Sequence, residues 1–202
     1  EQIMRRISRL ILTIAACTLC AIPAIAQDSG TLKKIKDSKT ITLGVSEGSS
    51  PFSFLDDKQQ YVGYSIDLCM RIVDAVKASL KMPDLKVNMT KVTPMIRMQM
   101  MTSGAIDLEC GSTTNSVERQ KLVSFVVTTF FSGTKLLVKT SSNVKSYKDL
   151  KGKSVVVTSG TTNEQAIKEY NLKESLGIRF IQAKDFNESF MALDSGSAVA
   201  YP

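Results

Sequence analysis

The sequence predicts an α/β protein in which parallel strands alternate with helices. From residue 40 the chain gives the order strand, helix, strand, helix, strand, helix, and a similar alternation begins again near residue 147. Such alternation favours a parallel sheet covered by helices, with ligands bound beyond the carboxyl ends of the strands. The stretch between the two series, 125–138, is typical of extended chain. We therefore expect two α/β units joined by an extended crossing.

The first unit opens with a short helix predicted at 31–37 and a strand at 40–45, where apolar and small residues alternate. The loop 46–54 follows, and its aromatic residue Phe52 is suited to form the wall of a pocket. A turn at 56–60 leads to a long helix. Apolar residues at helical spacing indicate this helix: Ile66, Cys69, Met70, Val73, Val76 and Leu80.

Two further strand and helix pairs complete the first unit. Alternation over 85–90 predicts a strand, and the proline that opens 94–103 suits the first turn of a helix. Arg97 lies on this helix among apolar residues, and its plainest interpretation is a solvated face. A strand at 105–110 then leads to a helix at 117–123.

The second unit repeats the pattern with shorter elements. A buried strand of three consecutive valines is its clearest signal. The predicted elements are a short helix at 147–150, a strand at 154–157, a helix from about 162 to 170, a strand at 179–182, a helix at 186–193 and the start of a strand at 198–201.

Residues 107–121 form a junction suited to a small anion. Gly111 frees the backbone to turn, while Ser112 and Thr114 offer hydroxyls beside main-chain N–H groups. Arg119 can reach back from the first helical turn with a bidentate guanidinium, which suits a carboxylate. The alternative is an ordinary polar turn and capped helix with Arg119 solvated on the surface.

A second hydroxyl-rich junction, 158–162, opens the helix of the second unit. Thr162 and Gln165 have the spacing of a capping box. Two such junctions, one in each unit, can face each other across a cleft and hold one ligand between them.

The amino terminus predicts export from the cytoplasm. Three arginines among the first nine residues precede an apolar segment at 10–25 that finishes in Ala-Ile-Ala26. This pattern is typical of a signal peptide over residues 1–26, cleaved after Ala26. A membrane anchor would need a longer apolar run, and a lipoprotein cleaved before Cys17 would keep an exposed apolar tail.

The composition argues against several function classes. The net charge is +7, without clustered basic runs or interleaved aromatics, which favours small anions over nucleic acid. The chain has no histidine and 4 cysteines, so a zinc site is not expected. A G-x-S-x-G pattern at 44–48 has no histidine base to activate its serine. We expect no catalytic residues, no metal and no cofactor.

Two cysteines lie beyond the predicted cleavage site, Cys69 on the core face of a helix and Cys110 at a strand end. An oxidising compartment permits a disulfide between them. Two buried free thiols are the equal alternative.

The stretch E-C-G-S-T-T-N-S-V-E-R-Q-K at 109–121 resembles the periplasmic glutamate/aspartate-binding proteins of ABC importers, as do 150–162 and 183–189. The resemblance covers about residues 31–201. It implies the two-lobed type II periplasmic-binding-protein fold. It also implies a monomer without cofactor that closes on one amino acid in the periplasm and presents it to an inner-membrane ABC permease.

The resemblance also implies residue roles. Arg119 would hold the ligand α-carboxylate, with Ser112 and Thr114 beside it and Thr162 on the second lobe. Arg97 matches a family arginine that reaches the side-chain carboxylate of the ligand.

Three positions depart from the family's acidic-ligand pattern. Ser46 stands where the family has an arginine, Pro94 where it has a serine, and Phe186 where it has a histidine. A polar or acidic amino acid is therefore one expectation. The rival is a smaller, neutral or more apolar ligand with Phe186 packed on its side chain.

The resulting domain prediction is a signal peptide at 1–26, lobe one at 27–131 and lobe two at 132–202. The family chain continues further, so we expect a truncated product in which the second lobe and the returning C-terminal segment are incomplete. The alternatives are an enzyme on the same fold, of the dehydratase or lytic transglycosylase kind, and an amino-acid sensor domain.

Overall fold

The computed structural model describes residues 30–202, so the predicted signal peptide lies outside the described residues. The strands are β1 (Thr40–Val45), β2 (Gly48–Ser49), β3 (Ser53–Leu55), β4 (Tyr61–Val62), β5 (Lys86–Lys91), β6 (Leu108–Glu109), β7 (Ser154–Thr158) and β8 (Arg179–Ala183). The α-helices are α1 (Thr31–Ser38), α2 (Tyr64–Leu80), α3 (Arg97–Thr102), α4 (Val117–Gln120), α5 (Thr162–Glu174) and α6 (Phe186–Asp194), with a 3-10 helix at Tyr147–Leu150. Helix α1 begins in an N-terminal unit that ends at Asp37, and residues 38–202 form a second compact unit.

The first sheet is parallel, in the order β5-β1-β6. Strand β1 lies in the middle and buries Leu43 and Val45 completely. The strand predicted at 105–110 is shorter than expected, because only Leu108 and Glu109 keep ladder geometry. Its neighbour Asp107 bonds twice to Thr42 of β1: its N–H donates to the Thr42 carbonyl at 2.7 Å, and its carboxylate accepts the Thr42 N–H at 2.8 Å.

Helix α2 covers this sheet and is covalently tied to it. Its buried residues Ile66, Cys69 and Val73 follow the predicted apolar stripe. Cys69 forms a disulfide with Cys110, immediately after β6, with 6.1 Å between the Cα atoms. Of the two alternatives left open by the sequence, the structure therefore has the disulfide.

The loop after β1 is more ordered than its turn-rich sequence suggests. Strands β2, β3 and β4 form a small antiparallel sheet across residues 48–62. The fully buried Ser53 hydroxyl accepts the Ser46 N–H at 2.9 Å and donates to the Ser46 carbonyl at 3.2 Å. Gly63 then adopts φ 129°, and a Cβ there would overlap the Phe52 carbonyl. This close approach fixes the entry into α2.

Two predicted helices have different bounds in the structure. Helix α3 begins at Arg97, and the prediction that it begins at residue 94 is wrong. Residues 94–96 form a turn in which the Thr93 carbonyl accepts the Ile96 N–H at 3.2 Å and the Arg97 N–H at 3.1 Å. Helix α4 ends at Gln120, where the prediction continued to residue 123.

The second sheet consists of parallel β7 and β8, in register from Ser154 and Arg179 to Thr158 and Ala183. The three valines of β7 are fully buried, as predicted. The strand expected at 198–201 is reduced to isolated bridges, one between Val155 and Ala200 and one between Leu137 and Tyr201. The core around this sheet contains Val144, Leu150, Val155, Val157, Ile167, Leu176, Ile178 and Ala200.

Residues 124–136 carry no helix or strand, and the crossing between two units that the sequence suggests at 125–138 stays a prediction. Several of its large apolar side chains are exposed: Val126, Val127, Phe130 and Phe131. Among residues 30–202, no helix combines the length and the hydropathy that crossing a bilayer requires.

We predict that reducing the Cys69–Cys110 bond lowers the free energy of unfolding by about 4 kcal/mol, because the cross-link closes a loop with a sequence separation of 41. The measurement is chemical denaturation with and without reductant. A double variant, Cys69→Ser with Cys110→Ser, is the control and should not respond to reductant. Equal stability of the oxidised and reduced proteins would contradict the prediction.

Candidate functional site

The loops that follow β6 and β7 meet, and hydroxyl groups face each other where they do. Thr114, from the loop after β6, lies with its Oγ1 3.2 Å from the Oγ1 of Thr162 at the start of α5. The carboxyl ends of parallel strands are where α/β sheets bind ligands. The two hydroxyl-rich junctions predicted from the sequence are therefore brought together.

Arg119 spans the same junction. Its Nη1 donates to the Thr114 carbonyl at 3.0 Å and its Nη2 donates to the Gly160 carbonyl at 3.1 Å. Ser116 caps α4 by accepting the Arg119 N–H at 3.3 Å, which fixes the backbone from which the side chain reaches. The guanidinium is half-buried, and this burial lowers the pKa of Arg119.

The cap of α5 differs from the predicted capping box. Thr161 is the N-cap residue, and its Oγ1 accepts the Glu164 N–H at 3.1 Å. The Glu164 carboxylate in turn accepts the Gly160 N–H at 2.8 Å. The prediction of Thr162 as the cap is wrong by one residue, and the shift leaves the Thr162 hydroxyl turned towards Thr114.

Arg97 is buried, so its interpretation as part of a solvated face is wrong. The residue is 5% exposed, and its Nη1 lies 4.0 Å from Oε1 of Glu109. Within residues 30–202 its Nε has no hydrogen-bond partner. Burial lowers the pKa of Arg97 to about 10, against the opposing effect of the Glu109 charge.

Glu109 is the site residue that sequence reasoning missed. Its side chain is 16% exposed, and burial raises its pKa while the charge of Arg97, and less strongly that of Arg119, act in the opposite direction. A Cβ on Gly111 would overlap its Oε1, so the carboxylate packs against the glycine backbone. The sequence does show an acidic residue at the end of a strand, within the junction predicted to bind an anion. Its pairing with Arg97 could not be predicted, because that contact joins residues from separate elements.

The two remaining predicted serines, Ser112 and Ser46, bond to different partners. The exposed Ser112 lies near the junction, with its hydroxyl 2.7 Å from that of buried Ser49. The Ser46 hydroxyl is used within its own loop, where it accepts the Gly48 N–H at 3.3 Å.

The predicted aromatic residues are both half-buried. Phe52 stacks edge-on against Tyr64 and Phe130, with ring centroids 6.3 Å and 5.0 Å away. Phe186 is the first residue of α6, after the capping residue Asp185. A Cβ on Gly48 would overlap the side chain of Asn187, so the start of α6 lies against β2.

A groove of about 490 Å³ opens beside this junction. Its lining includes Arg119, Gly160, Thr162, Glu164 and Lys168, whereas Arg97 and Glu109 do not line it. In the described part of the chain, no group of three or more His, Cys, Asp or Glu side chains is placed to hold a metal ion. The groove also has glutamates in its lining, and Lys168 is paired with Glu164 at 2.7 Å, so the groups that suit a small carboxylate are the Arg119 guanidinium and the hydroxyls of Thr114 and Thr162 at the junction itself.

Residues 41–197 match the bacterial extracellular solute-binding proteins, family 3. The chain belongs to this family. The resemblance seen in the sequence is confirmed, and so is the predicted fold class. The structure of holo ArgBP from T. maritima, for example, is similar with a TM-score of 0.72 at 27% identity, covering 84% of this chain and 70% of that one.

Two curated relatives are named for the binding or import of glutamate and aspartate. The L-glutamate/L-aspartate-binding protein of Pseudomonas aeruginosa is 47% identical over 98% of this chain and 66% of its own length. The glutamate/aspartate import solute-binding protein of Escherichia coli is 44% identical over 95% of this chain and 64% of its own length. The chain thus spans slightly less than two thirds of the length of these two relatives.

Gly160 lets the loops approach closely, and we predict that Gly160→Ala is destabilising. A Cβ there would lie 2.8 Å from Met95 Cα and from the Pro94 carbonyl, and φ is 82°. The matched control is Gly152→Ala, where φ is 68° but nothing lies within 4 Å.

Placing alanine at a positive φ costs about 1–2 kcal/mol at either position. We expect Gly160→Ala to cost at least about 1 kcal/mol more, because backbone atoms must also shift. The free energy of unfolding from urea titrations measures both values. Equal costs at the two glycines would contradict the close approach.

Proposed function

We propose that this chain is the solute-binding subunit of an ABC importer, which captures a polar or acidic L-amino acid and delivers it to an inner-membrane permease. The observation that carries the proposal is the convergence of Arg119, Thr114 and Thr162 from the loops after β6 and β7. A guanidinium between two hydroxyls is suited to the carboxylate that every amino acid shares.

Arg119 would bind the α-carboxylate of the ligand in place of the Thr114 and Gly160 carbonyls, to which it now donates. Its two bonds are to neutral carbonyl oxygens, and a carboxylate is the stronger acceptor. Thr162 is the first residue of the 13-residue helix α5, whose N-terminal N–H groups and dipole also favour an anion. Ser112 lies in the same loop as Thr114 and would complete the first-lobe side of the site.

The side-chain end of the ligand would lie towards Arg97. The relatives named for glutamate and aspartate support an acidic ligand. The departures at Ser46, Pro94 and Phe186 support the wider class of polar amino acids, because each removes a polar donor expected for a second carboxylate. Phe52 and Phe186 would supply apolar walls.

An enzyme on the same fold is the second candidate, and the carboxylate of Glu109, whose side chain is only 16% exposed, is the observation that favours it. Its ion pair with Arg97 and the names of the relatives, one a binding protein and one an import solute-binding protein, favour binding without turnover. Incubating the protein with the twenty amino acids and following them by proton NMR separates the two functions. We expect unchanged ligand spectra apart from binding, and a new product would support the enzyme.

We further propose that the protein works as a monomer in the periplasm after removal of residues 1–26. The family description as extracellular supports export. Lobe one would extend over 27–131 and lobe two over 132–202, each built around one of the two parallel sheets.

Arg119→Ala is predicted to weaken the binding of every amino-acid ligand by about 100-fold or more, because it removes a charge-assisted contact to their common group. Isothermal titration calorimetry of the whole protein measures the effect. Arg71→Ala is the matched control, since Arg71 is an exposed arginine on α2. Retained affinity in Arg119→Ala would contradict the assignment of the α-carboxylate.

Expression of the chain with residues 1–26 included is predicted to give a periplasmic protein that starts at Gln27. The positive, apolar and small-residue segments of 1–26 are what signal peptidase requires. Cell fractionation and the intact mass test this prediction. A protein that keeps residues 1–26, or that stays in the cytoplasm, would contradict it.

A further inference from the structure

Three side chains interact through their charges near the junction, although only Arg119 lines the groove: Arg97, Arg119 and Glu109. Glu109 Oε1 is 4.0 Å from Arg97 Nη1, and the charge of Arg119 acts on both of the others. The cluster holds two positive charges and one negative charge. Its carboxylate is not explained by the binding of an amino acid through Arg119.

The contact between Glu109 and Arg97 is an attraction between charges without a hydrogen bond. A separation of 4.0 Å is beyond hydrogen-bond range, and Arg97 Nε has no partner in the described chain. Arg97 therefore keeps a donor for a ligand while its charge is already compensated. A buried guanidinium without a counter-charge would be costly, so Glu109 has a reason to be there.

The position of the Glu109 carboxylate is also fixed by its surroundings. It packs where a Cβ on residue 111 would be, and residue 111 is glycine. The site thus contains a built-in anion beside the guanidinium that would meet the side chain of a ligand.

We propose that Glu109 is a specificity-determining residue of the amino-acid site, whose carboxylate neutralises Arg97 and weakens binding of ligands with an anionic side chain relative to their neutral amides. The inference rests on the proposed function and concerns the same site. A second anion placed next to Arg97 meets the negative charge of Glu109 at short range, whereas an amide does not. Burial raises the pKa of Glu109, and protonation acts in the opposite sense, because a neutral carboxyl group would not repel the second anion.

The test is the ratio of the affinities for L-glutamate and L-glutamine in Glu109→Gln, measured on the whole protein by calorimetry, with displacement titration for the weaker ligand. We expect this ratio to rise by about tenfold or more, the effect of removing one charge a few ångströms away in a partly buried site. Glu109→Asp keeps the charge and should leave the ratio within about threefold. Asp74→Asn, on the exposed face of α2, is the matched carboxylate-to-amide control.

Gly111→Ala provides a second variant in case Glu109→Gln does not fold. Its Cβ displaces the Glu109 carboxylate without removing it, and the ratio should rise in the same direction. An unchanged ratio in the folded variants overturns the inference, as does an equal loss of affinity for both ligands. If the unsubstituted protein binds no amino acid, the proposed function fails, and this inference fails with it.

Discussion

Arg119 connects the loops that follow the two parallel sheets, because its guanidinium donates to the Thr114 carbonyl after β6 and to the Gly160 carbonyl after β7. Two neighbouring residues make this contact possible. Ser116 fixes the start of α4, and Gly160 allows the loop after β7 to approach Met95. The same guanidinium is the group best suited to a carboxylate, so the interaction that joins the sheets is also the one a ligand would exchange.

Buried charge is the second constraint on the site. Arg97 is almost fully buried, and such a cation must be compensated in place. Glu109 provides the opposite charge, and the Cys69–Cys110 disulfide anchors the chain directly after it. The end of β6 therefore carries both the charge that compensates Arg97 and the disulfide that holds the chain in place. In the proposed function, these groups would determine the affinity for the ligand side chain.

The sequence predicted most of the local structure and the meeting of the two hydroxyl-rich junctions, for physical reasons. Strand β1 and helix α2 follow from periodic apolar residues, and Arg119 with Thr114 follows from a glycine and hydroxyls at a helix start. The sequence pointed to Thr162 as the helix cap, whereas the structure uses Thr161. Two adjacent threonines have the same capping ability, so only the backbone geometry decides between them. The pairing of Glu109 with Arg97 was missed because tertiary packing brings together residues from separate elements. The disulfide stayed undecided for the same reason.

The most direct test of this account is a crystal structure of the whole protein with L-glutamate bound. We predict that the α-carboxylate lies within hydrogen-bond distance of the Arg119 guanidinium and of the hydroxyl of Thr114 or Thr162. A ligand bound elsewhere, with Arg119 still bonded to the carbonyls of Thr114 and Gly160, would contradict the account.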